Sequence, residues 1–292
     1  MKNILIIGAN SYIAKHLIKK LTEMANIFLV SHKISKDHLY IDDLDTKYLD
    51  IIKSIDVIIN LAGANIGEKL WTKKRKIELL ESRIITTEKI VNLFNKYNPN
   101  AHLINFSAIG IYETNIKQDE YNQINYQQYN NFSQEITKKW ESIALKYQGD
   151  LTILRLGVVL NADSITYKKL MLSHKFRCGI IFGNGNQYLS WIALDDLMVI
   201  ILYVINNHSI GIINCTAPKP ITNYQLNKDL GNKYKSKIYL KMPKFLIKLL
   251  FGQMGSELFL NSLEVHPTKL LQKLNYKFKY PDFANFLNSI CK

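Results

Sequence analysis

The sequence predicts an α/β protein built on a doubly wound parallel sheet, with a smaller C-terminal substrate domain. Three observations carry that prediction: a strand–glycine–helix opening, short continuous apolar runs alternating with helical periods of three and four, and a change of character after Pro218.

The elements follow in order. Asn3–Ile7 has the pattern of a strand, Gly8 opens a turn, Tyr12–Leu21 is an amphipathic helix and Ile27–Val30 is a second apolar strand, together a βαβ opening of Rossmann type. Further strands are expected at Val57–Leu61, His102–Phe106, Leu151–Leu154 and Ile210–Asn214. Lys73–Tyr97, Gln134–Tyr147 and Asp195–Asn206 place apolar residues at helical spacing. Continuously apolar strands between helices imply a parallel sheet covered on both faces. Leu197–Ile205, the longest apolar stretch, is about half of the roughly 20 residues a membrane span needs, and it follows Asp195 and Asp196, which suit a helix start. It is expected to be a buried helix, with no membrane anchor. Beyond Pro218 come Pro220, Pro243, Pro267 and Pro281, which cut the chain into short helices and turns. The expected division is a dinucleotide-binding Rossmann domain over residues 1–165 and 188–232, and a smaller substrate-side domain over 166–187 and 233–292. Tyr121–Phe132 is a polar loop, either a surface loop or a substrate lid.

Composition narrows the function classes. With 47% hydrophobic and 21% charged residues the chain is of the folding kind, and 292 residues give room for one large domain or one large and one small. The net charge of +14 attracts anions in general, but its largest cluster is Lys73, Lys74, Arg75 and Lys76 and the rest is scattered, so a nucleic-acid face is not indicated. Cys178, Cys215 and Cys291 lie far apart, with neither disulfide nor metal-ligand spacing, and the histidines are dispersed; no metal site is expected. The apolar run Ile4–Ile7 breaks at once at Gly8, Asn10 and Ser11, too short for a secretion signal, so the expected location is cytoplasmic. The chain is expected to be a monomer or homodimer whose partner is an unidentified small molecule.

The most informative local feature is Gly8-Ala9-Asn10-Ser11-Tyr12-Ile13-Ala14, where the first strand turns into the first helix. Free N–H groups and the helix dipole attract a diphosphate there, so Gly8, Asn10, Ser11, Tyr12 and Ile13 are the candidate cofactor contacts. Only the first glycine of a G-x-x-G-x-x-G pattern survives. Ser11 in the second place either obstructs the phosphate or donates its hydroxyl to it, and Ala14 in the third suits close helix–strand packing. The second strand ends in Ser31, His32 and Lys33 with no carboxylate to hold a ribose, which favours NADP(H), with NAD(H) as the alternative.

Ordered motifs run through the rest of the chain: Asn60-Leu61-Ala62-Gly63-Ala64-Asn65, Lys69-Leu70-Trp71-Thr72, Glu81-Ser82-Arg83-Ile84, Ser107-Ala108-Ile109-Gly110-Ile111-Tyr112 and Trp140-Glu141. They continue with Arg155-Leu156-Gly157-Val158, Gly183-Asn184-Gly185-Asn186-Gln187, Ser190-Trp191-Ile192, Asn214-Cys215-Thr216-Ala217-Pro218 and Pro267-Thr268-Lys269-Leu270. In these the chain resembles the extended (atypical) short-chain dehydrogenase/reductase superfamily, in its epimerase-like branch with a C-terminal domain of unknown function. The resemblance implies that Leu61, Ala62 and Gly63 end a strand beside the cofactor and that Arg155 and Gly157 lie near the nicotinamide. It puts Gln187 and Trp191 on the substrate side, Trp191 otherwise filling core. Arg83 would meet a phosphate or form a structural salt bridge.

The same resemblance implies hydride chemistry, in which a lysine lowers the pKa of a tyrosine in a Tyr-x-x-x-Lys pair while a serine or threonine bonds the carbonyl. Ser107 fills the serine place. Ser133 and Thr137 fall on the tyrosine and lysine places, and neither can do that work. Tyr112 and Tyr129 are the candidate substitutes, with Ser107 and Tyr112 as the catalytic pair. Ala193 stands where the branch usually has histidine and Glu113 where it has glycine. Two expectations stay open: an oxidoreductase or epimerase-like enzyme, or a catalytically silent dinucleotide-binding sensor or regulatory protein.

Overall fold

The computed structural model describes residues 1–32 and 37–290. Seven strands make the main sheet: β1 (Lys2–Ile7), β2 (Ala25–Ser31), β3 (Leu39–Tyr40), β4 (Val57–Asn60), β5 (His102–Ala108), β6 (Leu151–Leu156) and β7 (Gly211–Cys215). Every pairing is parallel, in the order β3-β2-β1-β4-β5-β6-β7. This is the doubly wound Rossmann-like arrangement that the apolar runs predict. The order reverses beside β1, so the carboxyl ends of β1 and β4 open a crevice between them.

Alternation within β1 shows how both faces are filled. Ile4 and Ile6 join a core with Ala14, Leu17 and Leu21 of helix α1 (Tyr12–Leu21), while Leu5 and Ile7 join the opposite one with Ile90, Val91 and Phe94 of α3 (Lys73–Tyr97). Helix α2 (Leu49–Ser54) precedes α3, and α4 (Phe132–Ala144), α5 (Ile165–Lys175) and α6 (Leu194–Asn207) follow it, of which α4 and α6 shape the site. The helix starts are chemically marked. Ser11, Thr72 and Asn131 each accept a hydrogen bond from the main chain three residues on, which satisfies one of the free donors of a first turn. The Asn131 cap starts α4 two residues ahead of the expected Gln134. The apolar stretch 197–205 lies inside α6, where buried Asp196 accepts the N–H groups of Lys279 and Tyr280 and the hydroxyl of Tyr276. No helix among the described residues is long and apolar enough to cross a membrane.

The later segments thread back onto the sheet's carboxyl edge. Cys178–Phe182 pairs in parallel with Ile238–Met242, Val158–Leu160 with Trp191–Ala193, and Lys117–Gln118 with Glu264–Val265. Tyr188–Leu189 pairs antiparallel with Ile221–Thr222. Leu17, fully buried between α1 and the sheet, reports on the packing that sets the crevice wall. Leu17→Ala should cost about 2–5 kcal/mol of unfolding free energy in urea denaturation, and a loss under about 1 kcal/mol would refute that role.

Candidate functional site

The carboxyl ends of the strands gather the predicted residues on one edge: Gly8 after β1, Ser31 at the end of β2, Leu61–Gly63 after β4, Ser107 near the end of β5 and Gly157 after β6. Gly8 has φ +79°, and a Cβ there would come 2.8 Å from the Leu61 carbonyl oxygen. The turn can therefore nest against β4 only with glycine. Its N–H donates to Val30 at 3.2 Å and its carbonyl accepts from Ser11 at 2.9 Å, which fixes the turn.

Ser11 takes an extended φ of −68°, open to any residue, and its hydroxyl oxygen folds back to accept from Ala14 N at 3.2 Å. The serine thus caps α1, and it needs no glycine's freedom at the second motif place. The N–H groups of Tyr12 and Ile13 in the first turn have no partner within the helix. Ala14 is fully buried against the sheet, as close packing asks of the third place. Asn10 is exposed on the turn. The Tyr12 hydroxyl donates to Asp163 and accepts from Asn161 at 3.2 Å, so its ring ties α1 to the loop after Val158–Leu160. Burial, then the bond to Asp163, raises the Tyr12 pKa.

At the end of β2, Ser31 is buried and His32 is exposed, with its Nε2 3.1 Å from the Thr86 hydroxyl of α3. Lys33 lies outside the described residues. Asp42 stands nearby and is held by Lys89 at 2.9 Å, and bonds from Lys89 and Tyr40 keep its pKa below the usual carboxylate range.

Toward β5 and β6 the polar residues close into one buried network. Ser107 donates to Glu141 Oε1 at 2.6 Å, and Arg155 clasps the same carboxylate with Nε at 2.9 Å and Nη2 at 2.8 Å. Arg155 Nη1 donates to the Tyr112 hydroxyl at 2.8 Å, and that hydroxyl donates to Asn214 Oδ1 at 2.9 Å. The Tyr126 hydroxyl adds a further bond to Glu141 at 2.9 Å, which pins the loop 121–132 to α4. Glu141, Arg155 and Asn214 are fully buried, and Ser107 and Tyr112 nearly so. Burial pushes the Tyr112 pKa up to about 12, while Arg155 and the bond to Asn214 pull against it. Burial would lower the Arg155 pKa, but the bond and charge of Glu141 raise it.

Ser133 and Thr137, on the tyrosine and lysine places, are engaged elsewhere. Thr137 bonds back to the Ser133 carbonyl at 2.7 Å. Ser133 donates its N–H and hydroxyl to Glu257 Oε2 at 2.8 and 2.7 Å, and Phe132 N donates to Oε1 at 3.1 Å. A carboxylate from 124 residues away thus seals the start of α4.

The substrate-side candidates separate. Gln187 is half-buried and donates to the Phe182 and Phe259 carbonyls at 3.1 and 2.9 Å. Trp191 is wholly buried with Phe283 and Phe286, so its ring fills core and does not line an open site. Gly157 is buried, and a Cβ there would meet the Ser190 carbonyl oxygen at 2.8 Å. Tyr129 is exposed beside Lys139. The salt bridge expected of Arg83 does not form among the described residues: its guanidinium donates instead to the Leu79 and Ala64 carbonyls at 2.8 and 2.9 Å. Sequence reasoning gave no role to Glu141, Asn214 or Glu257. Trp140-Glu141 stood among the ordered motifs, but nothing local marks the glutamate as the partner of Arg155. No group of acidic, histidine or cysteine side chains among the described residues could hold a metal ion.

The chain is similar to known proteins along its length. The family model described as NAD dependent epimerase/dehydratase matches residues 4–215, and a domain of unknown function, DUF1731, matches residues 242–290. An epimerase family protein of Staphylococcus saprophyticus is 31% identical, covering 99% of both chains. A chloroplastic epimerase family protein of Arabidopsis thaliana is 28% identical over 98% of this chain and 85% of its own. The crystal structure of human epimerase family protein SDR39U1 with NADPH superposes with a TM-score of 0.88 at 25% identity, covering 99% of this chain and 98% of that one.

Two outcomes follow from the buried network. Glu141→Ala strands the Arg155 charge and should cost about 3–5 kcal/mol in urea denaturation; a loss below about 1 kcal/mol would show the pair to be dispensable. Tyr112 keeps its proton in the folded state up to about 12 where the unfolded phenol loses it at 10.0, so its share of stability is complete below the lower value and drains away between the two. Tyr112→Phe should make the alkaline loss of stability shallower across that window, and an unchanged slope would contradict the assignment.

Proposed function

The chain belongs to the NAD-dependent epimerase/dehydratase family, and on that premise we propose that it is an NADP(H)-binding, epimerase-like oxidoreductase acting on a small molecule. The observation that carries this reading is the β1–α1 turn. Gly8 lies flush on the Leu61 carbonyl, Ser11 is folded away onto its own helix, and the first-turn N–H groups of α1 are left for a diphosphate. Leu61, Ala62 and Gly63 form the opposite wall, and Gly157 lies farther along the same edge, toward the nicotinamide. Ser31 and His32, with no carboxylate between them, favour a 2′-phosphate, and NAD(H) is the alternative. The NADPH of the human relative supports the choice.

The bound dinucleotide would supply hydride chemistry at a substrate carbon. The chain's own part is to orient and to hold protons. Tyr112, raised to about 12, is a proton donor at neutral pH and not a base. Ser107 meets a substrate oxygen only by turning its hydroxyl from Glu141. A second reading, a catalytically silent cofactor sensor, draws on that same pair: both hydroxyls are already engaged inside the protein. Of the two substrate-side candidates, the half-buried Gln187 is kept and the core-filling Trp191 is not. In this reading the segment 166–187 and residues 233–292 form the substrate-side domain, supported by the pairing of Cys178–Phe182 with Ile238–Met242, and the protein is a cytoplasmic monomer or homodimer.

Titration with NADPH and NADH tests the cofactor. NADPH should bind in the micromolar range and more tightly than NADH, and Gly8→Ala should weaken it at least about tenfold, or about 1.4 kcal/mol. No binding by the wild type at high micromolar NADPH defeats the reading. Carbonyl and sugar-nucleotide panels then separate the two functions: turnover abolished by Ser107→Ala excludes the sensor, and binding without turnover supports it.

A further inference from the structure

One charged side chain of the crevice has no part in the reading above. Of the arginines on α3 and β6, Arg75 meets Glu78 at 2.6 Å and Glu68 at 3.3 Å, and Arg155 meets Glu141 at 2.8 Å. Arg83 meets no carboxylate among the described residues. Its Nη1 and Nη2 rest on the neutral carbonyls of Leu79 and Ala64, and its guanidinium carbon lies 5.2 Å from the ring centre of Trp140. The group also presses on the main chain after β4: a Cβ on Gly63, whose φ is +153°, would stand 2.9 Å from Arg83 Cζ. Burial lowers the Arg83 pKa to about 10, and the charge of Arg75 adds to the effect. A partly buried cation answered only by dipoles and a ring face is unfavourable, and an anion placed against it relieves the cost.

Its place in the fold says which anion. Thr87, one turn further along the same face of α3, accepts from Trp140 Nε1 at 2.9 Å. Trp140 stands three residues after Thr137, so Arg83 faces the turn of α4 where the resemblance puts the lysine of the Tyr-x-x-x-Lys pair. On the other side it touches Gly63, in the strand end that nests with Gly8.

We infer that Arg83 is an oxyanion-binding site at the reaction end of the crevice, taking a phosphoryl or carboxylate group through a guanidinium that no carboxylate among the described residues neutralises. The oxyanion belongs to the substrate or to the diphosphate of the dinucleotide. The inference rests on the proposed cofactor reading for its catalytic meaning, while oxyanion binding itself can be measured without it.

The test follows tryptophan fluorescence of the full chain, with Trp140 under the guanidinium as the reporter. Inorganic phosphate is titrated at constant ionic strength with and without NADPH, in wild type, Arg83→Met and Arg83→Lys. If the oxyanion is the substrate's, phosphate binds saturably beside NADPH, Arg83→Met weakens phosphate by about tenfold or more, Arg83→Lys weakens it less, and NADPH affinity stays within about twofold. If it is the dinucleotide's, phosphate competes with NADPH and Arg83→Met weakens NADPH by about tenfold or more. Either result supports the site. Unchanged affinities for both ligands in Arg83→Met overturn it, as does a wild type that responds saturably to neither. Should Arg83→Met fail to fold, the wild-type titration and Arg83→Lys decide: equal affinities in these two for both ligands overturn the inference. A wild type that takes phosphate but not NADPH would defeat the cofactor reading and leave the Arg83 site standing.

Discussion

The ion pair between Glu141 and Arg155 is the constraint on which the interior of this protein turns. Both side chains are sealed from water, and neither could stay charged there without the other. Because the pair spans α4 and β6, the bonds that complete it decide where Ser107, Tyr112, Tyr126 and Asn214 sit. The hydroxyls of Ser107 and Tyr126 satisfy the carboxylate, and that of Tyr112 accepts from the guanidinium and donates to the Asn214 amide oxygen. Ser107 and Tyr112 thus take part in holding α4 to β6.

Seen from the crevice, the β1–α1 turn and the α4 turn depart from the expected motif in different ways. At the β1–α1 turn the loss of the second glycine is harmless, because Ser11 caps the helix with a conformation any residue can adopt. At the α4 turn the substitutions run deeper. Ser133 and Thr137 have turned to Glu257 and to the helix's own carbonyl, while Arg83 of α3 lies over the Trp140 ring one turn on.

The sheet was legible because its determinants are local. Each strand of the core is a short apolar run, and α3 begins and ends where its periodicity does, behind the Thr72 cap. The expected strand ends differ by a residue or two: β2 starts at Ala25 and not Ile27, because parallel pairing with β1 extends further than the apolar run. The site was less legible, for a physical reason. Arg155 could be placed near the reaction end by resemblance, but its partner Glu141 is identified only by packing. Arg83 was expected to meet a phosphate or a salt-bridge partner, and only the three-dimensional surroundings show that no carboxylate among the described residues arrives. Trp191 illustrates the converse: an aromatic in a motif is no guide to exposure, and this one is core. Glu257 gave no signal at all, since its partners are far off in sequence.

The seal that Glu257 places on α4 has a bearing on how the chain matures. Val265 bonds Ser190, His266 accepts from Asn214, and Glu264–Val265 lies along Lys117–Gln118, so residues 257–266 brace the start of α4, Ser190, the end of β7 and Lys117–Gln118. On the ribosome these residues emerge after everything they support. The nascent sheet layer therefore waits, with the start of α4 bare, until residues 257–266 have been made.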